Sequence, residues 1–239
     1  MRLILPLLIL FIAACEPVTV VQTPDQSAAS EAAPDSSGEI DPRAQRAARQ
    51  FVEVVSIVEP VAEAECRRVM AGRNCDFQIV VDDRPGQPPN AFQTVDKNGR
   101  PILAFNLALI ASVKNRDELA FVMGHEAAHH ILSHLDRMRE NAVVGAVVFS
   151  GIAAMTGASA KEVREAEQLG AEVGARTYSK DFELEADKLG TIIAARAGFD
   201  PVRGAKFFTR IPDPGDRFLG THPPNAARTE IVRRTAAGL

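Results

Sequence analysis

The sequence predicts an α-rich α+β fold with a small antiparallel sheet, on three observations. Apolar residues recur at helical spacing over long stretches, for example Phe51, Val54, Val55, Val58 and Val61. Between residues 76 and 106 the pattern changes to short runs that read as strands, DFQIVVDD, AFQTV and PILAF. The last two flank DKNGR, where Asn98-Gly99 suits a tight hairpin turn. With 239 residues, 46% hydrophobic and 24% charged, the chain can form one domain with a substantial core and short appendages.

The N-terminus is expected to lie outside that domain. MRLILPLLILFIAAC sets one arginine before an apolar run and ends in small residues and Cys15, the pattern of a secretory signal. Ile12-Ala13-Ala14-Cys15 resembles the bacterial lipobox, which implies that Cys15 is acylated and becomes the first residue of the mature protein. Residues 16–42 contain six acids and no Lys or Arg, and are rich in Ser, Pro and Ala. Such a composition buries too little apolar surface to offset the entropy of ordering, so a flexible tether is expected, with a root-mean-square span of about 30 Å. The expected organisation is a signal peptide at 1–15, a tether at 16–42 and one domain at 43–239.

A chain exported in this way meets oxidising conditions, which makes Cys66 and Cys75, the even pair left after Cys15, candidates for a disulfide. Without Arg2 and the tether the chain carries 26 basic against 25 acidic residues. No basic excess points to nucleic acid as a partner.

Along the domain, residues 43–70 predict one helix, then a shorter one beyond Pro60. Three strands follow, then a helix at NLALIASVK. The next helix starts near Asn115, a capping residue answered by Glu118, and is expected to run to about Arg139. Residues 142–160 carry no charge, but their apolar core is short and interrupted by Gly145, Gly151 and Gly157, which favours a buried or lid-like helix over a membrane span. FELEADKLGTIIAARAG reads as a helix that Gly198 ends, and the segment after THPP as a final helix.

The chemistry is concentrated in FVMGHEAAHH, residues 121–130. On a helix, His125 and His129 stand about 40° apart around the axis and about 6 Å along it, so two imidazoles can share one ion. Glu126 lies beside them, able to hold and deprotonate a water without being a ligand. A catalytic zinc needs a third protein ligand, and a third histidine at the spacing of an extended histidine motif is missing, because Leu132 and Leu135 occupy those positions. His134 stands about 180° from His125 around the helix, so His130 and His134 are expected on the polar face or as groups supporting the ligands, not as ligands. A second helix offers Glu183, Glu185 and Asp187, of which Glu183 and Asp187 share a face.

These pieces occur in an order that resembles one family. PNAF at 89–92, DELAFVMGHEAAHHILSH at 117–134, YSKDFELEADKLG at 178–190 and THPPNAAR at 221–228 are similar to successive motifs of the zinc endopeptidases that include the CaaX prenyl endopeptidase, HtpX and BepA. The resemblance implies a gluzincin-type domain with one zinc per chain, held by His125, His129 and Glu183. It implies peptide-bond hydrolysis with Glu126 as base, Asp187 as a carboxylate beside the ligands, and His222 either against the substrate carbonyl or covering the metal. Polypeptide substrates, envelope assembly partners and a lipid-anchored, periplasm-facing location, at the outer membrane rather than the inner, complete the expectation. A chaperone or assembly factor with a latent or structural zinc site is the alternative.

Overall fold

The computed structural model of the chain describes residues 41–177, 179–216, 220 and 222–239. Cys15 and nearly all of the expected signal and tether lie outside these residues.

Helix α1 runs from Pro42 to Val69 without interruption. Asp41 caps it, accepting a hydrogen bond from the Arg43 amide. The break expected at Pro60 does not occur. The Pro60 ring faces solvent, so the carbonyl it leaves without a donor can be hydrated, while Val54, Val58, Ala62 and Cys66 keep one buried face across the proline. The Cys66 and Cys75 sulfurs are bonded, tying the end of α1 to the loop before the sheet.

Three strands follow: β1 (Gln78–Asp82), β2 (Ala91–Val95) and β3 (Pro101–Asn106), in the order β1-β3-β2. β2 and β3 form the hairpin expected at Asn98-Gly99, with Gly99 at φ 79°. The sheet is mixed, not purely antiparallel, because β1 runs parallel to β3. The connection after β1 contains Pro85, Pro88 and Pro89 and cannot make a tight turn. It carries the chain past β3, the most buried strand, which takes the centre.

After the short helix α2 (Leu107–Ser112), α3 (Arg116–Ile131) forms the middle of the core and is buried along almost its whole length. Asn115 caps it by accepting from the Glu118 amide at 3.1 Å. α3 stops well short of Arg139. Ser133 takes left-handed backbone angles, φ 55° and ψ 35°, and α4 (His134–Met155) departs in a new direction. α4 and α5 (Ala160–Thr177) form a helical hairpin. The uncharged stretch in it is not buried: His134 is the one buried residue of α4. The chain then returns through α6 (Ser179–Arg196), which packs along α3, α7 (Pro201–Gly204), a 3-10 turn at Ala205–Thr209, and α8 (Asn225–Ala236).

Candidate functional site

α3 and α6 pack with their backbones in contact. A methyl group on Gly124 would lie 2.9 Å from the Gly190 carbonyl oxygen, and one on Gly190 would lie 2.8 Å from the His125 amide nitrogen. No side chain separates the helices there, so the faces that carry His125 and His129 on α3 and Glu183 and Asp187 on α6 meet directly.

His125 Nε2 and His129 Nε2 stand 3.0 Å apart. Glu183 Oε2 lies 3.6 Å from the first and Glu183 Oε1 3.4 Å from the second. A tetrahedral zinc with ligands at about 2.0–2.1 Å has edges of about 3.3 Å, so the three donors span the right distances.

The partners of the other ring nitrogens assign the tautomers. His125 Nδ1 donates to Asp187 Oδ1 at 2.9 Å, leaving its Nε2 with a bare lone pair. His129 Nδ1 lies 2.8 Å from His134 Nδ1, and His134 Nε2 donates to Glu185 Oε2 at 3.1 Å. A neutral His134 bonded to Glu185 must accept from His129, which leaves the His129 Nε2 bare as well. Burial, then the neighbouring His129, hold His134 down to about 4, so it is neutral at ordinary pH.

Two lone pairs then face each other across 3.0 Å, next to a carboxylate, and call for a cation between them. Glu183 Oε2 is buried and makes no hydrogen bond of proper geometry, although His222 Nδ1 and Arg228 Nη2 lie 3.2 and 3.3 Å away. Burial disfavours the charge on Glu183, yet the surrounding His129, His222, His125 and Arg228 hold its pKa well below the usual carboxylate range. The His129 pKa is raised: burial opposes a positive charge there, but the neighbouring Glu183 and Glu126 carboxylates outweigh it, so this corner of the site favours a cation. The donor set therefore fits a divalent metal.

His134 reaches this network because α3 breaks at Ser133, so the phase argument that pointed it away from the site does not hold. Glu185 serves the same chain, bonded to His134 and to Arg137. His130 turns elsewhere, to the Asn74 carbonyl at 2.9 Å.

Arg228 is the residue to which sequence reasoning assigned no role. From α8 it donates through Nε and Nη2 to the two oxygens of Asp187, both at 2.7 Å, and its guanidinium carbon sits 3.9 Å from the Phe208 ring centre. Asp187 is fully buried; burial works against its charge, and Arg228 and His125 still hold its pKa down. The available signal was helical spacing: Arg228 lies one turn before the buried Val232, on the inward face of α8.

The cluster opens into a cleft of about 930 Å3, and Glu126, His222 and the β2 residues Ala91, Phe92 and Gln93 are on its wall. β2 pairs on one side only among the described residues, and its other edge is open. His222 is half-exposed at the rim.

A family model for peptidase family M48 matches residues 48–236. This chain belongs to peptidase family M48. The cluster of His125, His129 and Glu183 is a candidate metal site, with donors compatible with the metal that this peptidase family implies. Among the M48 chain's relatives are a putative beta-barrel assembly-enhancing protease of Vibrio cholerae, 32% identical over 132 residues (51% of this chain, 26% of the relative), and the beta-barrel assembly-enhancing protease of Escherichia coli K12, 28% identical over 151 residues (54% and 29%). The mitochondrial metalloendopeptidase OMA1 of Bos taurus is 29% identical over 208 residues (77% and 37%). The matched region thus spans about a quarter to a third of the length of these curated relatives.

Proposed function

We propose that the chain is a zinc-dependent endopeptidase of the bacterial cell envelope, held at the periplasmic face of a membrane by an acylated Cys15, and that it hydrolyses unfolded or misassembled envelope proteins. The observation that carries the reaction is the pair of bare imidazole nitrogens facing the orphaned Glu183 oxygen at the foot of an open cleft. The substrate class draws on the assembly-enhancing proteases among the relatives, and the location draws on the lipobox-like sequence ending at Cys15.

His125, His129 and Glu183 hold the ion in this reading. Zinc, when bound, supplies Lewis acidity, polarising a scissile carbonyl and bringing the pKa of a water toward about 7. Glu126, beside the ligands on the cleft wall, takes the proton from the attacking water and passes it to the leaving amine. Asp187, pinned by Arg228, keeps the His125 ring oriented with its Nε2 free. His222 reaches over the cluster from the rim, positioned to donate a hydrogen bond to the oxygen on which negative charge develops.

The open edge of β2 gives the substrate its track. An extended segment added as a further strand bonds through its backbone and needs no particular sequence, but the segment must be free of its own structure. That restricts cleavage to unfolded chains.

The test is cleavage of a permanently unfolded protein by the full chain, with metal content measured on the same samples. Glu126→Gln is expected to lower turnover by about 10²–10⁴-fold while one zinc per chain remains. Equal turnover in the variant overturns the assignment of Glu126. Suppression of aggregation without any cleavage by the wild type favours the chaperone reading.

A further inference from the structure

Outside the cleft, the feature that peptide hydrolysis leaves unexplained is the α4–α5 hairpin. Its two helices meet through glycines: a methyl group on Gly145 would lie 2.0 Å from the Gly170 carbonyl oxygen, and one on Gly170 would lie 2.2 Å from the Gly145 carbonyl oxygen. Gly145, Phe149 and Ala153 turn one half of α4 toward α5. The other half presents Val143, Val144, Val147, Val148, Ile152 and Met155, which are 48–90% exposed. No Lys, Arg, Asp, Glu or His occurs from 141 to 160. α5 is the reverse, with Lys161, Glu162, Arg164, Glu165, Glu167 and Gln168 exposed. The hairpin is a two-layer plate, apolar on one side and charged on the other.

We propose that the apolar side of this plate lies flat in the surface of a lipid bilayer, with α4 in the interface and α5 above it in water. The size of the patch argues against a second copy of the chain. It exposes on the order of 600 Å2, at the top of the range that soluble monomers leave open. A stable dimer buries about 800 Å2 on each partner. Its composition argues against a specific protein partner. Protein interfaces carry about one hydrogen bond per 100–200 Å2 and are anchored by Tyr, Trp or Arg. This face has only Val, Ile, Met, Ala and Gly, which suit acyl chains. A perpendicular span is excluded by the charges at Lys161, Glu162, Arg164 and Glu165, which sit directly after the hairpin turn and would enter the hydrocarbon.

The inference rests on the envelope location proposed above only for the presence of a bilayer. The 27 residues between the acylation site and the domain reach at most about 90 Å, so the anchor and the hairpin can engage the same membrane. Leu135 and Met138 at the start of α4 line the cleft. A docked α4 therefore brings the cleft to the lipid surface, where unfolded envelope proteins expose their chains.

The chain has no tryptophan, so one introduced residue reports alone. Ile152→Trp on the apolar side and Gln168→Trp on the charged side are compared in the full chain bound to phosphatidylethanolamine–phosphatidylglycerol vesicles, with and without bromine on the acyl chains. Ile152→Trp is expected to shift to the blue and to lose about half its emission to bromine, since an interfacial helix sits ~5–10 Å into the headgroup–acyl boundary. Gln168→Trp is expected to do neither, and the result should persist at raised salt. An unquenched Ile152→Trp on a chain that floats with the vesicles overturns the proposal. So does a blue shift that appears without lipid and grows with protein concentration, which identifies a second copy as the occupant. If cell membranes do not retain the chain but Ile152→Trp is quenched on added vesicles, the location fails and the docking surface stands.

Discussion

The cleft and the hairpin treat water in opposite ways. At the cleft, His125, Glu183, Asp187 and Arg228 are taken out of solvent, Asp187 completely. On the hairpin, valines and an isoleucine are left in solvent, and Met155 is 90% exposed. Each arrangement costs free energy in the isolated chain. The cost at the cleft is offset by pairing: Asp187 has both Arg228 and His125, and Glu183 lies among His125, His129, His222 and Arg228. The hairpin has no such internal partner among the described residues. The comparison teaches that hydrophobicity ranks poorly as a guide to function here, because both functional regions invert the usual distribution.

Breaking the pairing in the cleft should have the largest effect. Arg228→Ala leaves the Asp187 carboxylate buried without its main partner and is expected to cost about 3–5 kcal/mol in denaturant unfolding. Combining it with Asp187→Asn should recover part of the loss, and strict additivity would show that the two residues do not act as a pair. A smaller, local effect is expected in the hairpin. Gly170→Val forces α4 and α5 apart where the Gly145 carbonyl already touches. Overpacking of this kind costs about 1–3 kcal/mol, and zinc content should be unchanged because the metal helices lie elsewhere. Loss of zinc in Gly170→Val would mean that the hairpin and the cleft are one cooperative unit.

The smallest effect comes from Glu65, a buried carboxylate away from both regions. Arg68 first, against the opposition of burial, and then Arg196 hold its pKa below the ordinary value. A carboxylate depressed in the folded state binds fewer protons than in the unfolded chain, so its contribution is complete above the unfolded value near 4.5 and disappears as pH falls through the folded value. Both arginines are at least half exposed, which limits the contribution to about 1 kcal/mol. Wild type and Glu65→Gln should differ by that amount at pH 7 and converge in acid. A difference that persists unchanged into acid would rule out the ion pairs as its source.

The metal helix was legible because four-residue spacing has one meaning on an α-helix, and the same phase logic separated Glu183 and Asp187 from Glu185. The hairpin of β2 and β3 was legible from Asn98-Gly99. What sequence could not supply depends on contacts made at a distance. α1 continues through Pro60 because its buried face holds it against α3. α3 ends at Ile131 although no glycine or proline marks the place, and the left-handed turn at Ser133 is what brings His134 to His129. The parallel pairing of β1 with β3 follows from which strand is most buried once the helices pack. Arg228 lies about forty residues from Asp187, on a helix whose docking position no local pattern encodes.

The contact between Gly124 and Gly190 acts as a gauge block between the two halves of the candidate metal site. Metal–ligand distances tolerate about 0.2 Å, whereas a methyl group on either glycine requires a displacement of at least comparable size, against backbone that cannot swing aside. Machining tolerance, not chemical reactivity, is what these two positions contribute. A variant at either glycine could keep the fold and every side chain of the candidate site and still lose the spacing that a bound ion requires.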